Sequence, residues 1–136
     1  MEKCDRGKIR NREYAKQLRD FSGLRWGNIT PTDIDMFIEF NNELFIYAEG
    51  KHGKTKLPYG QRLALERQHD AIEKAGINVY TFIVETNDDM INDDGDIDYS
   101  KAIIREYRWN SIWHFPKGEI TILDAINKLR KDFNIK

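Results

Sequence analysis

The feature that most constrains this chain is a pair of apolar runs, residues 33 to 40 (DIDMFIEF) and 44 to 51 (LFIYAEGK), set apart by Asn41, Asn42 and Glu43. Both runs are rich in Ile, Phe or Tyr, and asparagine tolerates turn conformations, so they predict the two strands of a hairpin. Side chains alternate across a strand, and the register therefore decides which residues meet. With a three-residue loop Asn41-Asn42-Glu43, Phe40 faces Leu44, Ile38 faces Ile46 and Met36 faces Ala48, all on one apolar side. The other side then sets Asp35 opposite Glu49 and Asp33 opposite Lys51, with Phe37, Glu39, Phe45 and Tyr47 filling the remainder. A two-residue loop would oppose Phe40 to Glu43 and part the two acids, so hydrophobic matching selects the register that brings Asp35 and Glu49 together. Carboxylates opposed across a ladder repel each other, and a protein tolerates them more readily when a cation lies between them.

Flanking segments supply the partners such a hairpin needs. Tyr14, Leu18 and Phe21 at helical spacing predict a helix over residues 12 to 21, with Gly23 as its stop. Pro58 opens a stretch whose Leu65, Ile72 and Ala75 share a helical face, and Gly76 stands as its C-terminal stop, so a second helix is expected over residues 60 to 75. Residues 79 to 84, VYTFIV, read as a buried strand. Strand, helix and strand in that order imply a right-handed crossover. A further helix is expected over residues 99 to 108 and a short last strand over 111 to 115. An amphipathic helix over 121 to 133 would carry Ile122, Leu123, Ile126 and Leu129 toward the core. The chain of 136 residues is the size of one ordinary domain, so a single α/β domain over residues 1 to 136 is expected, with residues 1 to 11 as a basic tail.

Composition excludes several classes. No apolar run approaches the roughly 20 residues of a membrane helix, and the opening MEKCDRGKIRNRE is too charged for a secretory leader, so a cytoplasmic protein with no membrane partner is expected. The one cysteine, Cys4, agrees with a reducing compartment and argues against a cysteine-based zinc site. The formal net charge is −1, yet residues 1 to 26 hold eight basic side chains against four acidic ones, and residues 51 to 67 hold five against one. Residues 85 to 98 carry seven acids and no base, which predicts an exposed acidic loop. That loop does not fit a calcium-binding loop: placing Gly95 sixth puts Met90 first and Lys101 twelfth. His52, His69 and His114 are dispersed and suit surface or packing roles, and Trp26, Trp109 and Trp113 are expected in or beside the core.

The chemistry concentrates on the polar face of the hairpin. Phosphodiester cleavage near neutral pH needs charge offset on phosphate oxygens, an activated water and help for the leaving oxygen, and bound magnesium can supply all three. Magnesium takes oxygen ligands, so a minimal site needs two or three carboxylates brought together by the fold. The ordered string TPTDID, an apolar strand, a turn, LFIYAEGK and then LPYGQ at a helix start resembles the PD-(D/E)xK nuclease superfamily, which includes restriction endonucleases, Holliday-junction resolvases and repair nucleases. The resemblance covers about residues 12 to 84. It implies a restriction-endonuclease-like αβββαβ core, a mixed central sheet flanked by helices. It also implies a nuclease acting on DNA in which Asp35 and Glu49 bind magnesium, with manganese able to substitute, and Lys51 positions or activates the attacking water and stabilises phosphate charge. Gln61 matches a glutamine often found on the following helix, and Glu13 matches a first-helix acid of the resolvase-like branch. Pro31 stands two residues before Asp33 and four before Asp35, so the choice between these aspartates as main ligand stays open, with Asp35 preferred because it can oppose Glu49. Arg10 and Arg12 of the basic arm, with Lys54, Lys56 and Arg62, are the expected phosphate contacts. The small size resembles stand-alone resolvases, which work as homodimers. The competing expectation is a catalytically silent nucleic-acid-binding or assembly module on the same fold.

Overall fold

In a computed structural model, which describes residues 7–9, 11–17 and 20–136, the chain divides into two compact units, Met1–Thr32 and Asp33–Lys136. Within the first, helix α1 (Arg12–Gln17) is shorter than the sequence suggests. Leu18 and the Tyr14 side chain, two of the three residues behind the longer helix, lie outside the described residues. The third, Phe21, is half exposed. It sits in a turn that Asp20 closes by accepting from Ser22 N at 3.0 Å and Ser22 Oγ at 2.6 Å. Trp26 forms an isolated bridge with Ile29 and is largely exposed, so it does not join a core as expected.

The second unit is built on the hairpin. Strands β1 (Met36–Phe40) and β2 (Leu44–His52) pair antiparallel with Met36 opposite Ala48, Ile38 opposite Ile46 and Phe40 opposite Leu44. Asn41 and Asn42 take the left-handed backbone conformation that this tight loop requires (φ 52° and 61°), and Glu43 N donates to Phe40 O at 2.8 Å. The register is thus the one that apolar matching selects. β1 begins later than residue 33 because the Asp35 side chain, not its backbone, takes the Gly50 N–H (2.8 Å), which ends the ladder at Met36.

Helix α2 (Tyr59–Lys74) then leads to β3 (Asn78–Thr86), which lies parallel to β2 along nine residue pairs from Leu44↔Asn78 to His52↔Thr86. Gly76 terminates α2 in a left-handed conformation (φ 88°), with Ile77 N reaching back to Ile72 O at 3.4 Å. Residues 103 to 109 form a strand, β4 (Ile103–Trp109), where a helix is expected. Its IIREYRW is rich in β-branched and aromatic residues, and pairing to β3 on one side and β5 (Ile112–His114) on the other settles the outcome. The sheet is five-stranded and mixed, in the order β1-β2-β3-β4-β5, and α3 (Ile122–Asp132) closes the chain with Thr121 Oγ1 capping Asp124 N at 3.2 Å. Among the described residues only two strands precede α2, where the αβββαβ pattern has three.

Alternation in the sheet sorts its two faces. Leu44, Ile46, Ala48, Phe82, Val84 and Ile104 form one core with Ile122, Ala125 and Leu129 of α3. Leu123 faces away from it and is half exposed, contrary to expectation. Thr81, Glu49 and Arg108 occupy the opposite face, toward α2, and all are buried. The acidic stretch is more ordered than a solvated loop. Glu85 and Thr86 finish β3, Met90 is buried, Ile91 bridges Ile97, and the Asn92 side chain accepts from Asp94 N and Asp96 N, each at 3.0 Å. Replacing Ile46 by Ala is expected to cost about 2–5 kcal/mol in urea unfolding, whereas Leu123→Ala should change it by no more than about 0.5 kcal/mol. Equal effects would show that the sheet face has been assigned wrongly.

Candidate functional site

Glu49 stands on the α2 face of β2, its side chain only 3% exposed. Gln61, in the first turn of α2, donates from Nε2 to Glu49 Oε1 at 2.6 Å. Lys51, two residues along the same face, holds Nζ 3.9 Å from the same oxygen. The other oxygen, Oε2, is buried and has no hydrogen-bond partner among the described residues. Asp35 is anchored alongside through the Gly50 N–H, the residue between Glu49 and Lys51. The fold therefore brings Asp35, Glu49, Lys51 and Gln61 into one constellation.

Electrostatics reflect this crowding. Burial, then the negative charge of Asp35, pushes the Glu49 carboxyl up from 4.5 to about 7; Asp33 adds to the rise, while the Gln61 hydrogen bond and the Lys51 charge oppose it. A buried carboxylate with one orphaned oxygen beside a second carboxylate is strained by its own charge, and an all-oxygen donor set suits a hard divalent cation. The residues present thus fit such an ion. Asp33 is exposed, and Asp33, Asp35 and Glu49 do not close to the spacing of a tight three-carboxylate group.

Among the described residues, the group whose ligand atoms all lie within 4.8 Å of one another is instead His69, Asp70 and Glu73, further along α2. Its atoms are already engaged. His69 is fully buried, with Nδ1 2.9 Å from Thr81 Oγ1 and Nε2 in contact with Glu73. Asp70 accepts two bonds from Arg108, both at 2.9 Å, and Glu73 also accepts from Ser111 N at 3.1 Å. Burial lowers the His69 pKa, favouring the neutral ring, and the Arg108 cation disfavours a further positive charge there. This network fastens α2 to β3 and β4.

The expected phosphate contacts divide. Lys54 and Lys56 are exposed in the loop between β2 and α2. Arg62 is not available in the same way: it forms a two-pronged bond to Glu106 (3.0 and 2.8 Å) and its guanidinium lies 4.4 Å from the Trp113 ring centre, so its charge is spent on holding α2 to β4 and β5. Arg10 lies outside the described residues, and Arg12 and Glu13 belong to α1 in the first unit, where Glu13 pairs with Lys16 at 3.9 Å. Trp109 stacks on Tyr80 at 4.5 Å and Trp113 donates to Glu66 at 2.6 Å, so both pack beside the core as expected.

One neighbour of the site escaped the sequence reading. Tyr99 stands in a 3-10 turn, Tyr99–Lys101, and its hydroxyl is buried close over Gly50. Reading residues 99 to 108 as helix hid it. The small residue between Glu49 and Lys51 was the available signal that something approaches the backbone there. Comparison of the chain with protein-family models, with curated proteins and with solved structures gives no match in any of the three.

The displaced Glu49 carboxyl carries a stability signature. Its folded-state value lies above that of an unfolded glutamate, so between about pH 4.5 and 7 the native state holds a proton that the unfolded chain has lost, and stability falls as pH rises through that window. His69 acts in the opposite direction below about pH 6.5, because the unfolded chain binds the proton that the buried ring refuses. The difference between wild type and Glu49→Gln isolates the first effect. Metal-free Glu49→Gln should gain on wild type by up to about 3 kcal/mol between pH 4.5 and 8 in urea titrations; parallel curves would remove the buried, charge-crowded carboxylate from the account.

Proposed function

We propose that this protein is a magnesium-dependent nuclease that hydrolyses DNA phosphodiester bonds at Asp35, Glu49 and Lys51. The observation that carries the reading is the orphaned Oε2 of the buried Glu49, held beside Asp35 and Lys51 by strand register and by Gln61. The two carboxylates would hold the ion. Bound there, magnesium offsets charge on the phosphate oxygens and lowers the pKa of a coordinated water.

The protein's own groups account for the remainder. Gln61 fixes Glu49 by occupying Oε1, which leaves Oε2 uncommitted. The Gly50 N–H orients Asp35. Lys51, part-exposed and 3.9 Å from Glu49, brings an ammonium to the edge of the site, where it can contact a phosphate oxygen and orient the attacking water. Lys54 and Lys56 flank it on the loop that follows β2 and suit sequence-independent contacts to a phosphate backbone. The restriction-endonuclease-like core belongs to this proposal, supported by the mixed sheet and the strand-helix-strand unit, with one strand fewer before α2 than that pattern has. DNA rather than RNA, magnesium rather than manganese, the homodimer and a cytoplasmic setting rest on the resemblance and composition.

The test is nicking of plasmid and branched DNA with and without magnesium. Wild type should cleave only with the ion, and Glu49→Gln and Lys51→Ala should each lose at least about 100-fold. DNA binding without cleavage by the wild type would replace the nuclease with a silent binding module.

A further inference from the structure

A second orphaned polar atom lies on the other face of β2, the α3 side. The Tyr99 hydroxyl is buried and has no hydrogen-bond partner among the described residues. Its turn is held in place by Asp98, whose Oδ1 accepts from Ser100 N at 3.2 Å and Ser100 Oγ at 2.7 Å, and its ring packs against the α3-side core. A Cβ at position 50 would lie 2.6 Å from the Tyr99 oxygen and 3.2 and 3.3 Å from two ring carbons. Gly50 therefore leaves open, on the α3 side of β2, the space that this hydroxyl occupies, next to the backbone N–H that anchors Asp35 at the strand edge where β1 stops.

The hydroxyl is kept as a donor. Burial first, then the charges of Asp35 and Glu49, raise the Tyr99 pKa far above its ordinary value, so the phenol holds its proton at neutral pH. A buried O–H without an acceptor calls for an explanation, and carboxylates are the acceptors whose field it feels. We propose that Tyr99 is a positioning residue of the acid site: when Asp35 and Glu49 hold a divalent cation, the Tyr99 hydroxyl donates to the Asp35 carboxylate and fixes its orientation. This rests on the reading of Asp35 and Glu49 as a cation site. Asp35 is the exposed member of the pair and, among the described residues, is anchored through the Gly50 N–H at one oxygen, so a second donor has most to contribute there.

The experiment is calorimetric titration of the metal-free full chain with manganese chloride, alongside thermal unfolding of the same samples. Wild type should bind, and Tyr99→Phe, which keeps the ring and removes only the hydroxyl, should bind about 10- to 100-fold more weakly while its metal-free unfolding temperature stays equal or rises. Gly50→Ala, whose added methyl displaces the hydroxyl without deleting it, should weaken binding in the same direction and serves if Tyr99→Phe does not fold. Wild-type affinity in the Tyr99 variant, or in Gly50→Ala should that variant fail to fold, overturns the positioning role and leaves the cation site standing. A Tyr99→Phe that loses metal-free stability but no affinity makes the hydroxyl purely structural and also overturns it. Absence of manganese binding by wild type at millimolar ion overturns the cation site, and this inference with it.

Discussion

Leu44, Ile46 and Ala48 can be buried together only if β2 presents one face to α3, and a strand that does so must present Tyr47, Glu49 and Lys51 to the other. A shift of one residue would expose the core and bury the charges. The turn at Asn41 and Asn42 closes the register that apolar matching selects, so the hydrophobic effect on one face sets the position of the carboxylates on the other. Both unusual features of the site descend from this. Glu49 is buried because its side chain projects to the face that α2 covers, where Gln61 meets it. Asp35 lies next to it because the β1 ladder stops one residue short and the freed Gly50 N–H takes the Asp35 carboxylate instead.

The α2 face is held by a different kind of contact. Gln61, Leu65 and His69 recur every four residues along one side of α2, so seating Leu65 and His69 against the sheet also seats Gln61 over Glu49. Arg108 with Asp70, Arg62 with Glu106 and Trp113 with Glu66 extend the seam toward β4 and β5. Such buried and half-buried pairs have directional geometry, and they lock the helix in rotation as well as in distance. A helix packed on an apolar face alone would tolerate small rotations that carry Gln61 away from its oxygen.

What was legible in the sequence followed from periodicity and turn chemistry. The hairpin register and α2 were readable because each couples an apolar period to a turn or stop signal, Asn41-Asn42 and Gly76, and β3 and α3 were readable from their apolar patterns alone. β4 was not, since Glu106 and Arg108 are polar residues turned inward to meet Arg62 and Asp70, and a pattern that equates polar with exposed misassigns them. The same blindness made Arg62 look like a free cation and left Tyr99 unseen. Leu123 failed for a smaller reason: Ala125 and Leu129 define the buried stripe of α3, and Leu123 falls outside it. The placement of Asp35, Glu49 and Lys51 near one another was legible because it follows from apolar matching, whereas Tyr99 comes from a distant segment that only the folded chain brings near.

The most direct test of the central claim is diffraction from crystals soaked in manganese, with data collected at the metal's anomalous edge. A peak is expected within coordination distance of both Asp35 and the uncommitted oxygen of Glu49, absent from Glu49→Gln crystals treated identically. No peak there at saturating manganese, with Glu49 intact and the site open to solvent, would contradict it.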